Sequence, residues 1–366
     1  MRAPFLSPVE EIAMATNTQR ALTPELDDFI VRMPKVELHL HLEGSISPRA
    51  LLEIAQRNDV DIPARDEAGV AQLFKYRNFS EFLAVFMALA RALRYGRDFE
   101  QIAYELGEYL HGQHVRYAEI MLSPALYHRR GIDLSEVVQG TAAGLARAEH
   151  DFGVRTRLAF DFGRQFGVDL AWQILDVAIQ HMRYGLVAWS IGGDEVNFPP
   201  EPYAEVFAAA RRAGLRTMAH AGEVGGAQSV WGAVDVLGAE RLGHGIRSID
   251  DPKLITHLRE RRIVLDICPT SNVRTGAVSA IEMHPLRQLY DAGVLLSINS
   301  DDPIFFATTM IDEYRLAAQA FGFGIDELTN VMLDSVHSTF LPIDEKRVLV
   351  DQFEREIAAL RAELGF

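Results

Sequence analysis

Two rhythms of apolar residues alternate along the chain. Short, nearly continuous apolar runs are separated by longer stretches in which apolar positions return every three or four residues. The first rhythm predicts strands covered on both faces, the second amphipathic helices. Strand-like runs fall near residues 36, 115, 156, 186, 216, 241, 263 and 294. Helical stretches fill the intervals, among them Phe99 to His111, Ser135 to His150, Asp169 to Tyr184 and Tyr203 to Ala213. Thr23-Pro24 and Ser47-Pro48 mark helix starts, because the hydroxyl caps free N–H groups and proline suits the first turn. Asp61 to Ala71 is polar and reads as a loop. Phe79, Phe82, Leu83 and Phe86 recur at helical spacing up to Leu93.

Eight strands in regular alternation with helices predict an α/β fold, a (β/α)8 TIM barrel. The long interval between the first two strands adds extra helices, and the chain from Met310 onward adds more at the C-terminus. Residues 1–22 read as a flexible N-terminal tail and 23–366 as a single barrel domain. An open doubly wound sheet is the competing architecture, and it calls for a domain break that the pattern does not show.

With 48% apolar residues in 366, the chain buries a full core. Its 36 basic against 51 acidic side chains give a formal charge of −15, which argues against a nucleic-acid polymer as partner. The single cysteine excludes an internal disulfide framework and points to the cytoplasm. No apolar run reaches the length of a membrane span, and residues 1–30 lack the pattern of a secretory signal.

The chemistry-bearing residues gather at strand ends. His39 and His41 lie two apart at the end of the first strand, so both project from one face. His220-Ala221-Gly222-Glu223 follows the fifth strand, His244-Gly245 ends the sixth, and Ser300-Asp301-Asp302-Pro303 follows the eighth. In a barrel these positions share one rim, where active sites form. Three imidazoles and a carboxylate, His39, His41, His220 and Asp301, suit one Zn2+ per chain, which would acidify a water. Glu223 is placed to pass a proton, with a surface or capping carboxylate as its structural alternative. His244 is placed to orient water, or simply to bond Asp301. Asp302 is placed to accept a hydrogen bond from a protonated or NH-bearing heterocycle. The Gly192-Gly193 turn either admits a flat ligand or merely makes a tight turn. Phe82 and Phe86 are divided between core and an apolar lid over the ligand.

These stretches resemble the adenosine deaminase family of metal-dependent amidohydrolases. The matching segments are residues 33–44 (Met-Pro-Lys-Val-Glu-Leu-His-Leu-His-Leu-Glu-Gly), Gly192 to Glu195, His220 to Glu223, Arg241 to Gly245, Cys268 to Asn272 and Asn299 to Pro303. They occur in the family's order, over roughly residues 33–340. The resemblance implies zinc-dependent hydrolytic deamination of a 6-aminopurine, a small-molecule substrate. It implies that Glu223 protonates the purine N1 while His244 and Asp301 position the nucleophile. Gly193 would donate its N–H to N3, Asp302 would pair with N7, and His41 would stand beside the substrate.

Typical adenosine deaminases carry Asp where this chain has Glu43, a residue that touches the ribose end. Deaminases of free adenine and of 6-aminodeoxyfutalosine resemble the His-Leu-His-Leu-Glu-Gly pattern found here. Arg164, in Phe160 to Gly167, reads either as a partner for an anionic substituent or as a surface arginine. Residues 268–273 (Cys-Pro-Thr-Ser-Asn-Val) look closer to the nucleoside branch. A 6-aminopurine nucleoside, including 6-aminodeoxyfutalosine, therefore stands first. Free adenine stands behind it, and another metal-dependent hydrolase or a non-catalytic metal-binding protein behind that.

Overall fold

The computed structural model describes residues 21–76 and 79–366. Among them, eight strands form one sheet in chain order: β1 (Lys35–His41), β2 (Val115–Leu122), β3 (Arg155–Gly163), β4 (Leu186–Gly192), β5 (Arg216–Ala221), β6 (Arg241–His244), β7 (Val264–Ile267) and β8 (Leu295–Ile298). Each neighbouring pair runs parallel. Every residue of β1 is buried, as expected of a strand covered on both faces. The segment after β8 closes the circle on β1. Asp301 N donates to His39 O at 3.1 Å, and His41 N donates to Asp301 O at 2.9 Å. The side chain of Asn299 takes part in the closure, its Oδ1 accepting from Leu38 N at 2.7 Å and His39 N at 3.1 Å. The architecture is a (β/α)8 barrel.

The extra helices stand where expected. Pro48–Arg57, Glu67–Leu73, Phe79–Leu89 and Gly96–Gly112 lie between β1 and β2, and Met310–Phe321, Ile325–Ser338 and Ile343–Leu364 follow β8. Both expected caps are present: Thr23 Oγ1 accepts from Leu26 N and Ser47 Oγ from Ala50 N. The polar stretch 61–71 differs from expectation, since Glu67–Leu73 is helical. Asp66 caps it by accepting from Gly69 N at 2.7 Å, and Val70 is its one buried residue, so no apolar periodicity announces it. The expected tail, residues 1–22, falls outside the described residues except for Ala21 and Leu22. Among the described residues no helix is long and apolar enough to cross a membrane.

Polar groups fill part of the barrel interior. Arg241, at the start of β6, is 1% exposed and donates to Glu119 Oε2 at 2.6 Å and Asp266 Oδ2 at 2.7 Å. The Phe340 ring lies 4.3 Å from its guanidinium carbon. Tyr117 donates to the other oxygen of Glu119 and Ser297 to the other oxygen of Asp266. Both carboxylates are thus satisfied, which a buried ion pair requires. Arg241→Met removes the cation and leaves two buried carboxylates. We expect a loss of about 3–5 kcal/mol in unfolding free energy by urea titration. A change below ~1 kcal/mol would show that the cluster does not hold the barrel together.

Candidate active site

The parallel strands bring the candidate residues to one end of the barrel. His39 and His41 project from β1, His220 from β5 and His244 from the end of β6, while Asp301 follows β8 on the closing seam. Donor atoms of His39, His41, His220 and Asp301 all lie within 4.8 Å of one another. His39 Nε2 and His41 Nε2 sit 3.3 and 3.4 Å from Asp301 Oδ1. Two features fit a divalent cation. The donor set is three imidazoles and a carboxylate. In addition, both nitrogens of His39 and Nδ1 of His41 are buried without a hydrogen-bond partner in the protein, a cost that a cation would relieve. Burial holds the His39 and His41 rings below the ordinary histidine pKa, so they are neutral.

Three of the four ligand candidates have a close neighbour behind them. Asp161, on β3, lies 3.3 Å from His220 Nδ1 and accepts from Ser190 Oγ at 2.7 Å. Burial works downward on the His220 pKa, but the Asp161 carboxylate outweighs it and the ring is pushed up to about 9. A proton and a metal cation therefore compete for this imidazole. Ser271 Oγ donates to Asp301 Oδ2 at 2.6 Å. Gly243 stands against His39, where an added Cβ would lie 2.5 Å from the ring's Cε1. His244 and Asp301 both hold left-handed backbone, with φ of 62° and 66°. Strain of this kind, about 1–3 kcal/mol per residue, persists where surrounding contacts fix it.

Glu223 and His244 form a second buried pair. His244 Nε2 lies 3.7 Å from Glu223 Oε2 and 3.8 Å from Asp301 Oδ2. Burial, followed by the nearby Asp301 charge, pushes the Glu223 carboxyl up to about 8. Burial pushes His244 down to about 4. Near neutral pH the site thus holds a protonated carboxylic acid beside an uncharged imidazole. Glu195 shapes the loop that carries Glu223, accepting backbone N–H groups from Gly222, Glu223, Val224 and Gly225.

Beside this polar end runs a cavity of about 720 Å3, counted out to its open mouth. His41, Gly193, Glu223, His244 and Asp302 line it, and Phe82, Phe86 and Phe166 belong to its apolar wall. Phe82 and Phe86 also pack into the main core. Asp302 Oδ1 is buried without a protein partner, and burial with the Asp301 charge keeps its carboxyl well above the usual carboxylate range.

Two expectations for substrate contact are corrected. Arg164 is neither at the surface nor at the ligand: it is fully buried and donates to the backbone carbonyls of Gly192, Phe198 and His220. The strand ends at Gly163, and the turn Arg164–Phe166 directs the guanidinium behind the rim. Glu43 does not line the cavity. Its Oε1 accepts from Ser123 N at 3.0 Å and Tyr127 Oη at 2.8 Å, so it holds the cavity wall through Ser123. Sequence reasoning missed Asp161 and Gln165. Both line the cavity, and Asp161 carried the same signal as His39 and His41, a polar residue near the end of an apolar strand.

The fold and site define a barrel whose rim gathers a four-residue metal-ligand set beside a buried carboxyl. Comparison with known proteins makes this specific. The family model described as adenosine deaminase matches residues 34–356, and the chain belongs to the adenosine deaminase family. It is a deaminase of that family. It is 37% identical over 338 residues to an aminodeoxyfutalosine deaminase of Streptomyces avermitilis, covering 92% of this chain and 94% of that one. It is 36% identical over 334 residues to an adenine deaminase of Streptomyces coelicolor, covering 91% and 97%. Among solved structures, an adenine deaminase from Arthrobacter aurescens superposes with a TM-score of 0.85 at 33% identity, covering 89% of this chain and 99% of that one. An amidohydrolase from Burkhoderia ambifaria with bound Zn does so with 0.87 at 30% identity, covering 94% and 96%.

Two substitutions test the bracing of the ligand set. Gly243→Ala displaces the His39 ring, and Asp161→Asn removes the carboxylate behind His220. Each is expected to weaken zinc affinity about 10–100-fold in a chelator competition, with the circular dichroism spectrum retained. Unchanged affinity in both would mean that these contacts do not hold the ligands.

Proposed function

We propose that the protein catalyses zinc-dependent hydrolytic deamination of a 6-aminopurine nucleoside, adenosine-like and including 6-aminodeoxyfutalosine, in the cytoplasm. His39, His41, His220 and Asp301 would hold the ion. When bound, zinc supplies hydroxide near neutral pH by acidifying water. Glu223, held protonated by burial, delivers its proton to N1 of the purine and makes C6 more electrophilic. The Nε2 edge of His244, between Glu223 and Asp301, orients the attacking oxygen. The proton of the added hydroxyl passes to N6, the C6–N6 bond breaks, and ammonia leaves a 6-oxopurine, so that one water is consumed overall. The Gly193 backbone stands at the cavity wall with φ of 88°, where a Cβ would meet Gln165 Oε1, and its N–H is assigned to N3. Asp302 is assigned to N7.

The observation that carries the nucleoside reading is the apolar wall beside the cavity's polar end, where Phe82, Phe86 and Phe166 offer contact to a substituent on the ring. Similarity to an aminodeoxyfutalosine deaminase supports the same reading. Free adenine is the second reading. It is favoured by the retreat of Glu43 from the cavity and by similarity to adenine deaminases.

Zinc-loaded protein assayed with adenosine, 2′-deoxyadenosine, 6-aminodeoxyfutalosine and adenine separates the readings. The proposal expects kcat/KM at least ~10-fold higher for an N9-substituted substrate than for adenine, and the reverse order would place the enzyme with the free-base deaminases. Glu223→Gln should lower kcat about 10²–10⁴-fold. In the parent enzyme kcat/KM should fall as pH rises through the Glu223 pKa, because the acid must be protonated to act. Full activity of Glu223→Gln would remove the assigned proton donor.

A further inference from the structure

His284 has no part in the site described so far. It lies behind the cavity, 3% exposed, on the segment before the helix Leu286–Asp291. Its ring joins a chain of three hydrogen bonds that starts at a backbone amide. Leu286 N donates to His284 Nδ1 at 3.1 Å. His284 Nε2 lies 3.1 Å from Asn272 Oδ1, and Asn272 Nδ2 lies 3.1 Å from His244 Nδ1. Asn272 is fully buried and His244 is 2% exposed, so the chain is shielded from solvent.

A backbone N–H can only donate, and this fixes every later bond. Because Nδ1 of His284 accepts, a neutral His284 carries its proton on Nε2. Burial keeps the ring neutral, pushing it down to about 3. That proton goes to Asn272 Oδ1, so the amide must turn its NH2 toward His244. His244 Nδ1 therefore accepts, and a neutral His244 carries its proton on Nε2, the nitrogen that faces Glu223 and Asp301.

We propose that His284 and Asn272 are positioning residues that hold His244 as its Nε2–H tautomer, so that His244 meets the reacting oxygen as a hydrogen-bond donor. With Nε2 already protonated, His244 does not remove a proton from the nucleophile at that nitrogen. It fixes the oxygen's orientation and stabilises its charge. This inference rests on the deaminase reading of the site, but the tautomer itself can be read without any substrate.

Asn272→Asp reverses the last bond of the chain, because a carboxylate accepts from both rings and places a proton on His244 Nδ1. His284→Phe breaks it, and His284→Gln restores a donor to Asn272. Nitrogen-15 NMR of zinc-loaded, histidine-labelled protein reads the tautomer, with the His244 signals assigned by their loss in His244→Gln. The expected result is an Nε2–H His244 in the parent and in His284→Gln, and a proton on Nδ1 in Asn272→Asp. Asn272→Asp should lose about 10²–10⁴-fold in kcat with KM changed less than ~3-fold, the size of loss seen when a catalytic imidazole is held in the wrong tautomer. His284→Phe should lose more than ~10-fold in kcat, and His284→Gln should recover most of it. An Nδ1–H His244 in the parent would overturn the proposal, as would equal losses in His284→Phe and His284→Gln. Should Asn272→Asp fail to fold, the His284 pair and the parent spectrum decide alone. Should the parent turn over no aminopurine, the deaminase reading fails while the NMR result still decides the tautomer.

Discussion

Asp301 exchanges two backbone hydrogen bonds with β1, donating to His39 O and accepting from His41 N. The barrel closes at this seam, and the rest of the site depends on it. Closure sets the carboxylate of Asp301 against the imidazoles of His39 and His41, residues more than 250 positions away in the chain. Asn299 reinforces the seam by accepting two N–H groups of β1 through its side chain. Forming the last strand contact and forming most of the ligand set are therefore one event. The left-handed backbone at Asp301 follows from the same constraint, since the residue must both complete the ladder and turn its carboxylate inward.

Behind the ligands, buried polar groups are matched to one another with direction. Asp161 serves His220, Ser271 serves Asp301, and Glu195 gathers the N–H groups of the loop that carries Glu223. Arg164, whose charge suggested a substrate contact, instead ties the carbonyl of His220 to those of Gly192 and Phe198. The groups left for a ligand are few: a raised carboxyl at Glu223, a neutral imidazole at His244, and the unpartnered Asp302 oxygen. Low-dielectric surroundings strengthen what each of them does to a bound heterocycle.

Much of this was legible in the sequence because a barrel sorts residues by strand position. Near-continuous apolar runs located the strands, and histidines or aspartates at their C-terminal ends located His39, His41, His220, His244 and Asp301. Positions just past a strand end were harder. Arg164 is one residue beyond β3, where a turn rather than strand alternation decides direction, and it points away from the ligand. Asp161 lay within the alternation and was still passed over for its charged neighbour. Glu43 shows a further limit, since its role depends on Ser123 and Tyr127, about 80 residues away. The helix Glu67–Leu73 escaped notice because it buries so little.

The central claim is that one metal ion, held at the closing seam by residues from β1, β5 and the segment after β8, serves the deaminase. Anomalous diffraction at the zinc edge from crystals of active, zinc-loaded protein tests it most directly. The account predicts one strong anomalous peak per chain, bonded by His39, His41, His220 and Asp301. A peak held by other residues, or an active crystal with no metal in that ligand set, would contradict it.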